Sequence, residues 1–339
     1  MKTLKLDITK KNIELAGNIV KTGGLVAFPT ETVYGLGANA MDEVAVGKIY
    51  KAKGRPSDNP MIIHIAKMEQ LQLLCESFSE TAKILMDIFW PGPITFVLKK
   101  KSSVPDITTG LLDTVAVRMP SDEIAVKLIN SAGLPIAAPS ANLSGSPSPT
   151  KAEDVLEDMM GRIDAVLMGG TCPVGIESTV VDVTKEVPVI LRPGYITKED
   201  IDKVVNIKAV FDESVFQNPK EPGFKPKSPG MKYKHYSPKA DLKIVRGQDE
   251  NLDKTIEILK EKYSNQGKSV GIIYYGDDNE KAARNFFSDL RKLDRENMDI
   301  IITSALKPKG LGFSVMNRML KSAGYEVIDA EEVLNDCDS

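Results

Sequence analysis

The chain alternates short apolar runs with segments whose apolar residues recur every three or four positions. Ile13, Ala16, Ile19 and Val20 share that helical spacing ahead of Gly23-Gly24, which predicts a first helix over residues 11–21. The apolar run Leu25–Phe28, stopped by Pro29, predicts a strand, followed by a loop from Thr30 to Gly37 and a helix over Glu43–Lys51. Further strands are expected at Met61–Ile65, Ile94–Leu98, Thr114–Pro120, Leu134–Ala138, Ala165–Met168, Ser178–Val183 and Val187–Leu191. Helices are expected at Gln70–Ser77, Ser79–Phe89, Glu123–Ala132 and 151–160, with Trp90-Pro91-Gly92-Pro93 as a hard break. This alternation is that of an α/β domain.

The pattern changes after about residue 206. Residues 208–240 are rich in proline and lysine and carry no long periodic segment, which reads as a long linker, semi-rigid where proline is dense. The aromatic and basic residues at its end, Tyr233 to Tyr236, suit a lid better than a spacer. Strands at Leu242–Val245, Ser269–Tyr275 and Asp299–Thr303 then alternate with helices at Asn251–Tyr263, Asn279–Leu293 and Gly312–Ser322, as in a small doubly wound, Rossmann-like domain. The expected organisation is a first domain over 1–206, a linker over 207–240 and a second domain over 241–339.

Composition acts mainly by exclusion. In 339 residues, 44 Lys plus Arg face 47 Asp plus Glu, so any basic site must be local and the overall balance does not suggest a nucleic-acid-coating surface. The three cysteines, Cys75, Cys172 and Cys337, are far apart and odd in number, which fits free thiols in a reducing compartment. His64 and His235 are the only histidines, and without CxxC or HxxxH spacing they make a Cys/His metal site unexpected, leaving a magnesium ion held mainly by a nucleotide. No signal-like apolar segment follows Met1 and no apolar run reaches membrane-spanning length, so the expected location is cytoplasmic, with no membrane.

One motif recurs: an apolar strand ends in Ser, Thr or Arg together with Gly or Pro. Ligands gather at strand ends in α/β sheets, so several such loops point to one polar pocket, although these are also ordinary loop residues. The densest stretch is Thr30–His64, where Lys53 and Arg55 flank Gly54 ahead of Pro56. The helix should stop near Ala52 and send both cations into one loop, an arrangement suited to a polyphosphate or simply to a helix C-terminus favoured by its dipole. Gly35-Leu36-Gly37 with Ala40 formally fits a dinucleotide fingerprint, but seven residues separate it from the strand end, which disfavours a nicotinamide oxidoreductase. No GxxxxGK[ST] segment occurs, and the Cys172 thiol has no histidine beside it to make it a nucleophile.

Read together, these motifs identify a resemblance. Pro29-Thr30-Glu31-Thr32-Val33-Tyr34-Gly35-Leu36, Lys53-Gly54-Arg55 with Asn59-Pro60, Trp90 to Thr95, and Val117-Arg118-Met119-Pro120 resemble the YrdC-like family of threonylcarbamoyl-AMP synthases in its long two-domain form. So do Ala138 to Gly145, Glu177 to Val180, Leu191-Arg192-Pro193-Gly194, the linker Ser228–Pro238 and Gly310 to Arg318. The resemblance spans nearly the whole chain. It implies a twisted mixed sheet with helices enclosing a basic cavity, and conversion of L-threonine, bicarbonate and ATP to L-threonylcarbamoyl-AMP and pyrophosphate. A separate transferase complex would use the product to modify the adenosine beside the anticodon of tRNA, with at most weak tRNA contact by this chain.

Carried onto these positions, the resemblance implies threonine binding by Thr32, His64, Arg118, Ala138 and Ser178, with Arg118 paired to the carboxylate. His64 lies between Ile63 and Ile65 and would by itself read as a core histidine; the matched set assigns it to threonine. ATP, with Mg2+ on its phosphates, falls to Lys53, Arg55, Asn59, Thr114, Ser140, Asn142, Ser148, Arg192 and, from the linker, Tyr236, with Lys53 and Arg55 as the catalytic pair. The reading from another class is an RNA-binding module gripping duplex RNA or tRNA without catalysis, which would bind with a steep salt dependence.

Overall fold

The computed structural model describes residues 2–216 and 236–337. Contacts divide the chain into two units, Met1–Ser144 with Ser148–Tyr233, and Gly145–Pro147 with Lys234–Ser339.

The strands of the first unit are β1 (Leu4–Asp7), β2 (Val26–Phe28), β3 (Gly35–Asn39), β4 (Ile62–His64), β5 (Ile94–Lys99), β6 (Thr114–Arg118), β7 (Ile136–Ala137), β8 (Ala165–Met168), β9 (Thr179–Asp182), β10 (Val189–Arg192) and β11 (Val210–Phe211). They form one mixed sheet in the order β1-β8-β2-β3-β7-β4-β6-β5-β9-β10-β11. Its main core lies on one face, where Ile63, Phe96, Val117, Ala137 and Val181 meet Ala45, Ile49 and Leu85 of the helices Glu43–Lys53 and Glu80–Phe89. A second core, containing Val26, Phe28 and Ile136, packs under the helices Lys10–Lys21 and Glu123–Ala132. A third cluster, Ile62, Val97, Ala116, Val180 and Leu191, is built from strand residues alone.

The second unit has its own parallel sheet, β12 (Asp241–Arg246), β13 (Val270–Ile273), β14 (Ile300–Ser304) and β15 (Val327–Asp329), ordered β13-β14-β12-β15. Helices Asp249–Asn265, Asn279–Arg295 and Gly310–Ser322 connect the strands in turn, giving the doubly wound form expected from the alternation.

The structure corrects the local reading in places. Gly35 to Asn39, expected as loop up to Gly37, is strand β3, antiparallel to β2 and β7. Gly37 is needed there for close packing, because a Cβ would fall 2.8 Å from both Ile136 and Phe28; the apparent dinucleotide fingerprint is a strand-packing feature. The helix expected over Gln70–Ser77 is one turn, Met68–Leu71; Leu74 and Cys75 beyond it pack against the main core from turns, and Leu73 is exposed. The helix Glu43–Lys53 runs one residue beyond Ala52 to a left-handed Gly54 at φ 64°, so Lys53 belongs to the last helical turn and only Arg55 to the loop. Strands β1 and β15 and the helices Lys198–Val204 and Ala330–Cys337 were not legible in the periodicity. Most of the linker motif Ser228–Pro238, including His235, lies outside the described residues.

Candidate active site

Period-two alternation decides which strand residues share a face. Val115 and Val117 point into the main core, so Ala116 and Arg118 point the other way, and the same parity puts Ile62 and His64, Thr95 and Val97, and Ser178 and Val180 on that opposite face. Register then aligns them: His64 pairs laterally with Arg118, and Arg118 with Thr95, across β4, β6 and β5. A polar row therefore crosses three adjacent strands, beside the apolar strand-only cluster.

Arg118 is the hub of this row, 4% exposed. Its Nη1 donates to Thr32 Oγ1 at 2.8 Å and its Nε to the Gly92 carbonyl at 3.4 Å. Its Nη2 stands 2.8 Å from Glu31 Oε1, an ion pair by distance, yet no N–H is aligned on either Glu31 oxygen. Thr30 Oγ1 in turn meets Thr32 Oγ1 at 2.8 Å and donates to the Val33 carbonyl, which holds the β2–β3 loop in place.

On the far side of the row, Ser178 Oγ contacts Thr95 Oγ1 at 2.8 Å and accepts from Arg192 Nη2 at 3.1 Å, while Arg192 Nε donates to the Ser178 carbonyl. Simple alternation from Ile190, a main-core residue, would bury Arg192 in that core. A register shift between Ile190 and Arg192 instead pairs Arg192 with Val180 and brings it to the polar row. Ser148, fully buried, donates to Glu177 Oε1 at 2.5 Å beside Ser178.

Burial holds the His64 imidazole well below its ordinary range, at about 3, and the Arg118 guanidinium pushes the same way, so the ring is neutral. Its Nδ1 is buried with no aligned hydrogen-bond partner among the described residues, and the ring meets Phe28 edge-on at 6.1 Å. Burial also pushes up the Cys172 thiol, which is 1% exposed, in keeping with its exclusion as a nucleophile.

A second group adjoins the first through the β2–β3 loop, whose Tyr34 carbonyl accepts from Ala141 N, and through Gly35 at the start of β3, which bridges to Ser140. Lys53, 2% exposed, sends its Nζ to the Ser140 carbonyl and, at 2.5 Å, to the Asn142 carbonyl. Lys53 of the Lys53-Gly54-Arg55 motif is thus joined directly to the Ala138 to Gly145 motif that carries Ser140 and Asn142. Arg55, half-buried, donates from Nη2 to the Pro60 carbonyl at 3.1 Å and the Asn59 carbonyl at 3.4 Å. Ala138 donates its N–H to Ile62 O, tying this loop to β4.

Of the expected residues, one stands apart within the first unit and one belongs to the second unit. Thr114 begins β6, four residues from Arg118 and so ~13 Å along the strand. Tyr236 belongs to the second unit, where it is buried at φ 63° with its ring 5.1 Å from that of Phe287. Sequence reasoning missed Glu31, Thr95 and Glu177. Glu31 and Glu177 directly precede Thr32 and Ser178 in the quoted motifs, and a carboxylate inside an otherwise apolar, hydroxyl-bearing motif was the available signal. Thr95 closes the quoted Trp90 to Thr95 motif, and its strand alternation was the further signal.

Among the described residues, no group of three or more His, Cys, Asp or Glu is placed to hold a metal ion, and no helix is long and apolar enough to cross a membrane.

A family model described as telomere recombination, for Sua5, YciO and YrdC, matches residues 18–194, and one described as threonylcarbamoyl-AMP synthase, C-terminal domain, matches 196–324. The chain is 48% identical over 336 residues to the threonylcarbamoyl-AMP synthase of Pyrococcus abyssi, covering 95% of this chain and 96% of the relative. It is 44% identical to that of Bacillus subtilis, covering 96% of this chain and 97% of the relative. The crystal structure of P. abyssi Sua5 complexed with L-threonine superposes with a TM-score of 0.92 at 46% identity, over 97% of this chain and 99% of that one.

Proposed function

The chain belongs to the Sua5/YciO/YrdC family in its two-domain form, and on that premise we infer that the polar row is its threonine site and the Lys53 group its nucleotide site. It is an enzyme, a threonylcarbamoyl-AMP synthase, which makes L-threonylcarbamoyl-AMP from L-threonine, bicarbonate and ATP and releases pyrophosphate. Likeness over the whole chain decides for this activity over an RNA-binding module.

The observation that carries the site reading is the lateral row His64–Arg118–Thr95, flanked by Thr32, Ser178 and Arg192. Arg118 supplies the planar pair of donors that an amino-acid carboxylate needs. The neutral His64, with an unmet Nδ1, and the hydroxyls of Thr32 and Ser178 suit threonine's own hydroxyl, and Ala138 closes the wall beside β4. Condensation of threonine's ammonium group with bicarbonate forms a carbamate and releases water and a proton. A carbamate oxygen then attacks the α-phosphorus as pyrophosphate leaves, and the charge that builds there calls for fixed cations and donors.

In this reading Lys53 works by locking the Ser140–Asn142 loop through its carbonyls, so that Ser140 and Asn142 face the phosphates, while Arg55, Asn59 and Arg192 flank the triphosphate. Ser148 is held by Glu177, and Thr114 stands at the far end of β6 for the nucleoside end of ATP. Tyr236 would close over the nucleotide as part of a lid that keeps water from the carbamate. Mg2+ would be carried by ATP and would supply neutralising charge on the phosphates. The same proposal includes a cytoplasmic location and transfer of the product to a tRNA threonylcarbamoyl transferase complex.

The test is pyrophosphate release from ATP by the full chain. Release is expected only when threonine and bicarbonate are both present; release indifferent to threonine would overturn the reading.

A further inference from the structure

The mechanism leaves the buried charge of Glu31 unused. Glu31 is 7% exposed, and among the described residues its carboxylate oxygens have the Arg118 ion pair but no aligned hydrogen-bond donor. A buried carboxylate can accept about four hydrogen bonds, and leaving them unmade is costly. Among the described residues its charge partner is Arg118 at 2.8 Å, and that guanidinium already serves Thr32 and Gly92. The neighbourhood also holds surplus negative charge. Burial pushes the Asp122 carboxyl up and the Glu31 charge adds to that push, while burial, with both carboxylates adding, raises the Cys172 thiol.

Resting on the threonine-site reading above, we propose that Glu31 is the acceptor for threonine's ammonium group, so that Arg118 and Glu31 together read the zwitterion. An α-amino acid presents a carboxylate and an ammonium one carbon apart. The Arg118–Glu31 pair presents the complementary charges in contact, and the ammonium brings three donors to oxygens that have none. Glu31 thereby selects for the α-amine, a contact distinct from those of Thr32, His64 and Ser178. A purely structural Glu31 would hold Arg118 in place and affect every carboxylate ligand alike.

The experiment is calorimetric titration of the full chain with L-threonine and with its α-hydroxy analogue, 2,3-dihydroxybutanoate of matching configuration. The wild type should prefer threonine by about 30-fold or more, as expected for a desolvated charge contact. Glu31→Gln should bring that ratio to within about threefold, and Glu31→Asp, which withdraws the carboxylate by one methylene, should lower it by at least about fivefold. A wild-type ratio near unity overturns the proposal, as does a wild-type preference retained in Glu31→Gln. If Glu31→Gln does not fold, an unchanged ratio in Glu31→Asp overturns it and a lowered ratio supports it. A wild type that binds no threonine at all would instead overturn the site reading on which the proposal rests.

Discussion

A neutral His64 makes a prediction that can be worked through to a number. The ring is buried beside Arg118 with its pKa near 3, whereas in the unfolded chain it titrates at about 6.5. Between those values the unfolded state holds a proton that the folded state lacks, so stability rises with pH across this window and is lost as pH falls below about 6.5. Each pH unit inside the window is worth about 1.4 kcal/mol, and from pH 7 to pH 5 the loss attributable to His64 comes to about 2 kcal/mol. The value is insensitive to where near 3 the folded pKa lies, because pH 5 is well above it. Urea denaturation of the wild type and of His64→Gln at the two pH values isolates the effect, since the opposite-signed contribution of Asp122, whose carboxyl is raised by burial, is common to both. The chain has two histidines, so proton NMR of the ring signals, assigned with His235→Asn, reads His64 directly. Its signal should stay flat from pH 8 to about 4.5. A midpoint near 6, or an acid destabilisation identical in His64→Gln, would refute the reasoning.

Other outcomes follow from the same geometry. Arg118→Ala should weaken threonine binding by at least about 30-fold and ATP binding by far less in calorimetry; equal loss of both would remove Arg118 from the threonine site. The same variant leaves Glu31 buried without its charge partner and should cost about 3–5 kcal/mol by chemical denaturation, more than Glu31→Gln. Lys53→Met should both abolish pyrophosphate release and lower stability by about 2 kcal/mol or more, because two main-chain carbonyls lose a charged donor; unchanged stability would show that Lys53 does not hold the Ser140–Asn142 loop. Gly37→Ala should destabilise by about 1–3 kcal/mol through overpacking against Ile136 and Phe28, read as a lowered Tm with no selective loss of either ligand.

Much of this was legible before any coordinates. The helices Glu123–Ala132 and Asn279–Arg295 and the strand Ala165–Met168 appear where apolar spacing, an Asp cap or a left-handed glycine marks them, because those signals act within a few residues. The chemistry-bearing residue types were legible too, and with them the family. What no local pattern could specify is adjacency: His64, Arg118, Thr95 and Ser178 lie tens of residues apart and become neighbours only through the strand order β4-β6-β5-β9 and its register. A single register shift moves Arg192 out of the core side of β10, and one extra helical residue turns Lys53 from a loop cation into the donor that ties two distant motifs together. Period and capping are properties of a short stretch of chain. The meeting of charges is set by long-range pairing of strands, and it is in that pairing that Glu31 gained its partner.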